Sequence, residues 1–285
     1  MLLQSAVLLV VSTPLGNLGD LSPRAGEALG SADLILAEDT RRTGLLLKAA
    51  GIGPKKLLSL HEHNEEQRIQ EVLAALESNK SAALVSDAGT PLMADPGYRL
   101  VRACRTKGYT VSPIPGPSAI LAALSGSGLP PYPFTFLGFL PRKAGEKKKL
   151  FLQHGATSST LVFFERKNRV VQSLQSAFEV LGDREFCLAR ELTKKHEQFI
   201  NGRLGEDLHA FADLKGEMTI VLAPAAEGRM PVEEVERILR QVESGGESPR
   251  KIVRRMRAQC PGWSGKELYM LLQEIRKGDS TGSDG

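Results

Sequence analysis

The chain has 285 residues, 41% of them hydrophobic and 25% charged, with a formal net charge of +4. That length supports a substantial core and is better divided between two domains than placed in one. The composition is that of an ordinary soluble globular protein, so the small basic excess excludes a nucleic-acid argument from bulk charge and leaves only local clusters to carry one.

Residues 6–11 open the chain with an apolar run that is too short to cross a membrane. It has no basic residues ahead of it, unlike a signal peptide. Val7–Val11 reads as the first strand. A polar loop over residues 12–20 follows, and Ser22 then caps a helix with Pro23 at its first position. Leu34–Ala37 is a second strand, ending in Glu38-Asp39-Thr40-Arg41-Arg42, and a helix through residues 45–50 stops at Gly51. A third strand, 57–60, ends in His61-Glu62-His63-Asn64. Asn64 is placed to cap the helix Glu65–Glu77, whose Ile69, Val72, Leu73 and Leu76 recur at helical spacing. Ala82–Val85 is a fourth strand. It leads into Ser86-Asp87-Ala88-Gly89-Thr90-Pro91-Leu92-Met93-Ala94-Asp95-Pro96-Gly97, a tight polar loop with two carboxylates. A helix over 98–107 has Pro96 near its first position and Gly108 just past its end, and Thr110–Ile114 is a fifth strand. This alternation argues for a mainly parallel sheet with helices on both faces. It gathers the strand-end loops at one edge, where open α/β sheets bind ligands.

Pro113, Pro115 and Pro117 make a stiff hinge, which places a boundary between an α/β domain over 1–115 and a second over 118–225. Ser118 caps a short helix, 119–124. A strand over 135–140 ends in Pro141-Arg142-Lys143, and a basic helix carries Lys147, Lys148 and Lys149. A buried strand over 161–164 closes on Glu165, Val170–Leu181 is an amphipathic helix, and 186–189 and 218–222 are strands. Residues 231–278 form a helical module: a helix over 232–242, a second capped by Ser248-Pro249 and running to Cys260, a turn, and a third over 265–277. Residues 278–285 read as disordered. Cys104, Cys187 and Cys260 follow no metal-ligand spacing and read as buried thiols of a reducing cytoplasm.

Neither glycine-bearing loop is a phosphate motif, and Asp-Ala-Gly-Thr-Pro alone is equally a sharp turn before a helix. Glu38-Asp39-Thr40-Arg41 is either a helix N-terminus, where acidic residues contribute about 0.3–1 kcal/mol, or an edge that binds a polar substrate. His61 and His63 share one side of an extended segment. With no third ligand evident they read as hydrogen-bonding or proton-transfer groups, and no metal is expected. Residues 141–149 hold five basic residues against one acidic. The run Pro249–Lys266 holds Arg250, Lys251, Arg254, Arg255, Arg257 and Lys266 with no acidic residue. Charge runs are usually solvated faces, but two of them on a nearly balanced chain suit a polyanion bound by counterion release.

Nine motifs occur in order: Thr13-Pro14-Leu15-Gly16-Asn17-Leu18, Glu38-Asp39-Thr40-Arg41, His61-Glu62-His63-Asn64-Glu65, Ser86-Asp87-Ala88-Gly89-Thr90-Pro91, Asp95-Pro96-Gly97, Pro115-Gly116-Pro117-Ser118-Ala119, Gly138-Phe139-Leu140-Pro141, Arg190-Glu191-Leu192-Thr193-Lys194 and Lys215-Gly216-Glu217. Together they resemble the RsmI family of bacterial 16S ribosomal RNA cytidine 2′-O-methyltransferases, in the tetrapyrrole-methylase-like superfamily. The likeness covers roughly residues 7–225 and, more loosely, the helical tail. It implies a two-domain α/β fold, with a mainly parallel sheet in the N-terminal domain and a mixed α/β C-terminal domain, acting as a cytoplasmic homodimer with no membrane association. It also implies S-adenosylmethionine bound in a cleft between the domains. Pro14, Leu15, Asp87, Ala88, Gly89, Thr90, Met93, Ser118, Ala119 and Glu165 match positions that line that cleft. One departure from the family stands out, and one contrast with its wider superfamily. Ser12 occupies a position where the family commonly has Pro, which touches loop stiffness more than chemistry. The Gly-Pro-Gly-Asp first loop of tetrapyrrole methylases proper is missing, which disfavours the alternative of a small-molecule, tetrapyrrole-type methyltransferase. Retention of every loop motif disfavours a second alternative, a non-catalytic RNA-binding assembly factor.

The implied reaction is methyl transfer to the ribose of a decoding-centre cytidine in 16S RNA. The sulfonium is a good leaving group, so the enzyme's work is alignment and activation of the hydroxyl. Asp39, His61 and His63 stand at strand ends facing that edge, with Arg41 able to hold a phosphate; Asp39 is the expected proton acceptor. Arg142, Lys143, Arg250, Arg254, Arg255 and Arg257 are expected to grip RNA backbone, the last four from a helix-turn-helix-like module. The expected partner is the small ribosomal subunit, recognised partly by shape.

Overall fold

Apolar runs of four or five residues, each ended by turn-forming residues, build the first sheet. The computed structural model describes residues 6–155, 157–206, 208–211, 214, 216–225, 230–243, 247–257, 259–260 and 262–280. Strands β1 (Val7–Val11), β2 (Leu34–Ala37), β3 (Lys56–Ser59), β4 (Ala82–Val85) and β5 (Thr110–Ile114) lie in the order β3-β2-β4-β1-β5. All these pairings are parallel, with Leu8 of β1 opposite Ala82 on one side and Val111 on the other. Helices α1 (Pro23–Ser31), α2 (Thr40–Ala49), α3 (Glu65–Glu77) and α4 (Tyr98–Thr106) connect the strands, and α5 (Ala119–Gly126) follows β5.

Strands β1, β2 and β4 are buried on both faces, and their alternate residues sort to opposite cores, as a two-residue period requires. Val7, Leu9 and Val11 pack with Ala25, Ala28 and Leu29 of α1 and Leu47 of α2. Leu8 and Val10 pack with Ile69, Val72, Leu73 and Leu76 of α3 and with Leu100 and Cys104 of α4. The first two helices therefore cover one face and the next two the other. The reversal falls between β1 and β4, adjacent strands whose outgoing loops lead to helices on opposite faces. That is the switch point at which open α/β sheets form a ligand crevice.

Several local expectations are corrected. Helix α2 starts at Thr40, not residue 45, because the Asp39 side chain accepts the Arg41 N–H at 2.9 Å and caps it. Strand β3 lies one residue earlier than expected. Asn64 makes no side-chain cap on α3. Its amide instead donates to the Ser59 carbonyl and its Oδ1 accepts the His61 N–H, both at 2.9 Å, which closes the loop behind the helix. Gly97, with φ of 121°, is the residue that turns the chain into α4.

The second sheet takes β6 (Phe134–Phe139), β7 (Thr160–Arg166), β8 (Glu185–Arg190), β9 (Gln198–Arg203) and β10 (Glu217–Leu222) in the order β6-β7-β10-β8-β9, with β6 and β7 parallel. Strand β9 escapes the sequence reading because it is an edge strand, mostly exposed and without an apolar run. Helices α6 (Ala144–Gly155) and α7 (Val170–Leu181) belong to this half. Lys147 of α6 is fully buried, donating to Gln172 Oε1 at 3.1 Å, so it leaves the basic cluster in which the sequence puts it. Lys148 pairs with Glu179 and Lys143 with Glu146; Arg142 and Lys143 stay exposed.

The tail has a core of its own. Helices α8 (Val232–Glu243), α9 (Pro249–Met256) and α10 (Gly265–Ser280) bring together Val235, Leu239, Ile252, Met256, Leu268, Leu272 and Ile275. The Trp263 indole donates to the Met230 carbonyl at 2.8 Å. Helix α9 ends at Met256 rather than Cys260, Ser248 forms no side-chain cap, and α10 continues through Ser280. The rest of the stretch expected to be disordered, 281–285, lies outside the described residues. The three cysteines are buried and free. Among the described residues no helix is long and apolar enough to cross a membrane. The chain divides into two compact units: Met1–Gly128 with Leu188–Ile200 and Gly216–Ile220, and Leu129–Cys187 with Asn201–Lys215 and Val221–Gly285.

Burial pushes the Lys147 pKa down. A lysine whose folded pKa lies below its unfolded value, about 10.4, destabilises the fold at lower pH, and the cost fades as pH rises toward that value. Lys147→Met, close in volume, is expected to unfold at higher urea than the wild type at neutral pH, with the gap narrowing in alkali. A gap that does not change with pH would show that the buried charge carries no such cost.

Candidate active site

Loops from β1, β4 and β5 meet at the switch point. Thr13 and Gly89 form an isolated antiparallel bridge, the Thr13 N–H donating to the Gly89 carbonyl at 2.9 Å and the Gly89 N–H to the Thr13 carbonyl at 3.0 Å. The Thr13 hydroxyl donates to the Ser86 carbonyl at 3.2 Å. Ser12 ties in the third loop: its N–H donates to the Ile114 carbonyl and its hydroxyl to Thr90 Oγ1, each at 3.2 Å. The Thr90 hydroxyl then donates to the Pro117 carbonyl at 3.0 Å. Two glycines are required here. Gly89 has φ of +79°, and a Cβ on it would stand 3.0 Å from Leu15 Cδ2; a Cβ on Gly116 would stand 2.9 Å from that of Ser12. Serine at position 12 therefore does more than relax the loop, since proline would supply neither its N–H nor its hydroxyl.

The joined loops carry most of the residues expected to line a cofactor site: Pro14 and Leu15 on the first, Asp87, Ala88, Gly89 and Thr90 on the second, Ser118 and Ala119 at the start of α5. Ser118 caps that helix, accepting the Leu121 N–H at 3.4 Å. Met93, further along the second loop, is exposed. Glu165 belongs to the second unit and is buried there. It pairs with Arg169 at 2.9 Å and accepts the Ser173 hydroxyl at 2.6 Å and the Arg166 N–H at 2.8 Å.

A second set of residues holds the first loop, and the sequence marks them only as motifs. The stem of Lys194 lies against Gly16, where an added Cβ would come within 2.3 Å of it. The Lys194 ammonium donates to Glu217 at 2.9 Å and to Glu191 at 3.3 Å. Glu191 in turn accepts the Glu217 N–H at 3.1 Å. Glu191 and Thr193 have φ of 50° and 65°; Leu92 and Ala94 in the β4 loop have 74° and 76°. Non-glycine residues in the left-handed region persist where surrounding structure over-determines them, commonly at functional sites.

The charges at this edge divide by partner. Both oxygens of Asp39 are taken by Arg41, whose Nε and Nη2 donate at 3.1 and 2.9 Å. That side-chain bond, above all, holds the Asp39 pKa at about 2. In this arrangement Asp39 caps α2 and holds Arg41. Asp87 accepts the Asp39 N–H and the Arg42 Nη1, both at 3.0 Å. Asp95, half-buried in the same loop, is pushed up to about 6 by desolvation first and by Glu38 second. Glu38, though largely exposed, is raised by partial desolvation and then by Asp87. His61 and His63 are exposed after the edge strand β3, with rings 6.1 Å apart. Three strand spacings, about 14 Å, separate β3 from β1, so the histidines do not join the three loops. Among the described residues no group of three His, Cys, Asp or Glu is placed to hold a metal ion.

Comparison with known proteins gives this arrangement relatives. Residues 7–207 match the family model of the Tetrapyrrole (Corrin/Porphyrin) Methylases. The chain is 46% identical over 235 residues to the Ribosomal RNA small subunit methyltransferase I of Vibrio cholerae, covering 80% of this chain and 81% of that one. It is 40% identical over 282 residues to the protein of the same name from Mesorhizobium japonicum, covering 98% and 95%. Among solved structures it is similar to the uroporphyrin-III C-methyl transferase of Thermus thermophilus complexed with S-adenyl homocysteine. The TM-score is 0.55 at 17% identity, over 76% of this chain and 96% of that one; that likeness is one of fold.

Two outcomes follow from the geometry. Gly89→Ala is expected to lose about 1–2 kcal/mol of stability in denaturant unfolding from the left-handed backbone alone, and an unchanged midpoint would contradict the tight bridge. The Asp39 carboxyl is expected to titrate at about 2 and to return toward about 3.9 in Arg41→Ala. Carbon-detected NMR reads both, and a midpoint unmoved by the substitution would reject the pairing.

Proposed function

The chain belongs to the ribosomal RNA small subunit methyltransferase I family of the tetrapyrrole (corrin/porphyrin) methylases, and from that premise we propose that it transfers the methyl group of S-adenosylmethionine to the ribose 2′-oxygen of a decoding-centre cytidine in 16S ribosomal RNA. The observation that carries this reading is the junction at the switch point, where the Thr13–Gly89 bridge and the Ser12–Thr90–Pro117 chain lock three motif-bearing loops together.

The residues at the junction fit a sulfonium donor. Glu38, Asp87 and Asp95 stand close enough for the charges of Glu38 and Asp87 to raise the Asp95 pKa, a local negative field that favours a cation. Pro14, Leu15, Asp87, Ala88, Gly89, Thr90, Met93, Ser118 and Ala119 would hold the donor, with Glu165 assigned by resemblance. When bound, the donor supplies an electrophilic methyl carbon on a good leaving group. The chain's own share is to align the ribose and share its hydroxyl proton. Arg41, exposed beside Asp39, is placed to take a phosphate of the RNA. His61 and His63, away from the junction, suit contact with RNA at its margin rather than proton transfer.

The tail suits the polyanion. Ile252 and Met256 anchor α9 in the module's core while Arg250, Arg254, Arg255 and Arg257 stay exposed. Arg142 and Lys143 offer a second, smaller patch. No tetrapyrrole substrate needs such an arm, which favours RNA over a small-molecule acceptor. The expected partner is the small ribosomal subunit in the cytoplasm, and the expected state is a homodimer.

Incubation with labelled S-adenosylmethionine and unmodified small subunits is expected to leave the label on one ribose of the 16S RNA; label on a base, or none, would end this reading. Substituting Arg250, Arg254 and Arg257 together by alanine is expected to weaken subunit binding roughly tenfold or more and to flatten its salt dependence. Calorimetric affinity for the donor should be unaffected. Unchanged subunit affinity would remove α9 from the RNA contact.

A further inference from the structure

The second sheet holds a buried ion pair that neither the junction nor the helical tail uses. Glu165, near the end of β7, is 2% exposed, and each of its carboxylate oxygens lies against two donor groups. Oε1 accepts the Arg166 N–H at 2.8 Å and stands 2.9 Å from Arg169 Nε. Oε2 accepts the Ser173 hydroxyl at 2.6 Å and Arg169 Nη2 at 3.0 Å. A carboxylate offers about four acceptor positions, so this one is filled from within the chain. That leaves the backbone of Glu165 for any contact with the donor.

Burying such a pair costs about as much as its attraction returns, so its use is read from what it holds. Arg169 Nη2 also donates to the Leu140 carbonyl, and the Pro141 carbonyl lies 3.3 Å from it. Both carbonyls lie past the end of the β6 ladder. The β6–β7 register shifts between Phe136 and Phe139, Gly138 has φ of 66°, and β6 ends at Phe139. Arg169 takes over from β7 there, and the chain it holds runs directly into Arg142 and Lys143, both exposed. One turn later the Lys147 N–H donates to the Lys143 carbonyl at 3.1 Å, and the buried Lys147 ammonium donates to Gln172 of α7. The two exposed basic residues are thus pinned on both sides by the segment 165–173.

We propose that Arg169, oriented by Glu165, is a positioning residue for RNA binding: it holds the Leu140–Pro141 turn so that Arg142 and Lys143 stand together against phosphates of the substrate. This rests on the reading above in which those two residues contact RNA. A contact made from a free loop loses part of its strength to ordering the loop, and a turn already fixed avoids that loss. Arginine suits the task because its planar fork reaches a carboxylate and a carbonyl at once, which an ammonium on a flexible stem does not.

The test measures affinity for unmodified small subunits across a salt range, with donor affinity by calorimetry and single-turnover methylation at saturating subunits alongside. Arg142→Ala with Lys143→Ala is expected to weaken subunit binding and to lower the slope of log affinity against log salt by about 1–2. Arg169→Lys keeps a charge beside Glu165 but not the fork. It is expected to weaken subunit binding roughly threefold to tenfold, while the saturated rate and the donor affinity stay at the wild-type level. Added to the double alanine variant, it should weaken binding no further. Should the lysine variant fail to fold, Glu165→Met with Arg169→Met, which removes both charges together, is expected to show the same loss of subunit binding and the same lack of effect in the double alanine background. Three results each overturn the positioning role alone: normal subunit binding by Arg169→Lys, a loss that persists in full in the double alanine background, or a loss of donor affinity in its place. A double alanine variant that binds subunits as the wild type does overturns the patch reading, and this inference with it.

Discussion

Two amide hydrogen bonds between Thr13 and Gly89 fix the place where the first sheet changes direction. Each buried backbone N–H and C=O left by a strand end must find a partner, and here the loops of β1 and β4 satisfy each other. Because the bond is backbone to backbone, it depends on approach rather than on side-chain identity. That is why Gly89 must be left-handed and why Gly116 must lack a side chain beside Ser12. The Ser12–Thr90–Pro117 relay extends the same logic to the loop after β5. With three loops immobilised, the β4 loop carries its carboxylates at fixed positions.

The carboxylates at this edge, Asp39 after β2 and Asp87 and Asp95 after β4, then acquire separate characters from their neighbours. Asp39 is held strongly acidic by a guanidinium, Asp87 is spent on a backbone amide and Arg42, and Asp95 is left among like charges. The difference lies in which partner stands within hydrogen-bond reach. One aspartate becomes a helix cap, the next a brace between β2 and β4, and the third a group poised near neutrality.

Much of this was legible in the sequence where burial is two-sided and periodic. The runs of β1, β2 and β4 and the apolar stripes of α3 and α7 fall where their residues place them, because a strand covered on both faces has few other ways to be written. The motifs of the three joined loops were legible too. What escaped reading depends on contacts that sequence does not display. Strand β9 is an exposed edge with no apolar signature. Lys147 sits in a run of three lysines, yet helix geometry turns it alone into the interior. Asn64 has the chemistry of a cap but is used to close the loop behind it. The capture of Asp39 by Arg41, two residues on, is a matter of rotamers, and the bracket around Lys194 joins residues some 180 positions from the loop they hold.

That bracket bears on the order in which the molecule is completed. Residues 188–200 and 216–220 count structurally with the first unit, so its opening loop, near the amino terminus, waits for side chains among the last of the two-sheet body to be synthesised. During translation the five parallel strands emerge early, but Gly16 meets Lys194, and Lys194 meets Glu217, only after most of the polypeptide has left the ribosome. A fragment that stops short of Glu217 lacks part of the bracket that holds the first loop, and so the start of the protein matures late.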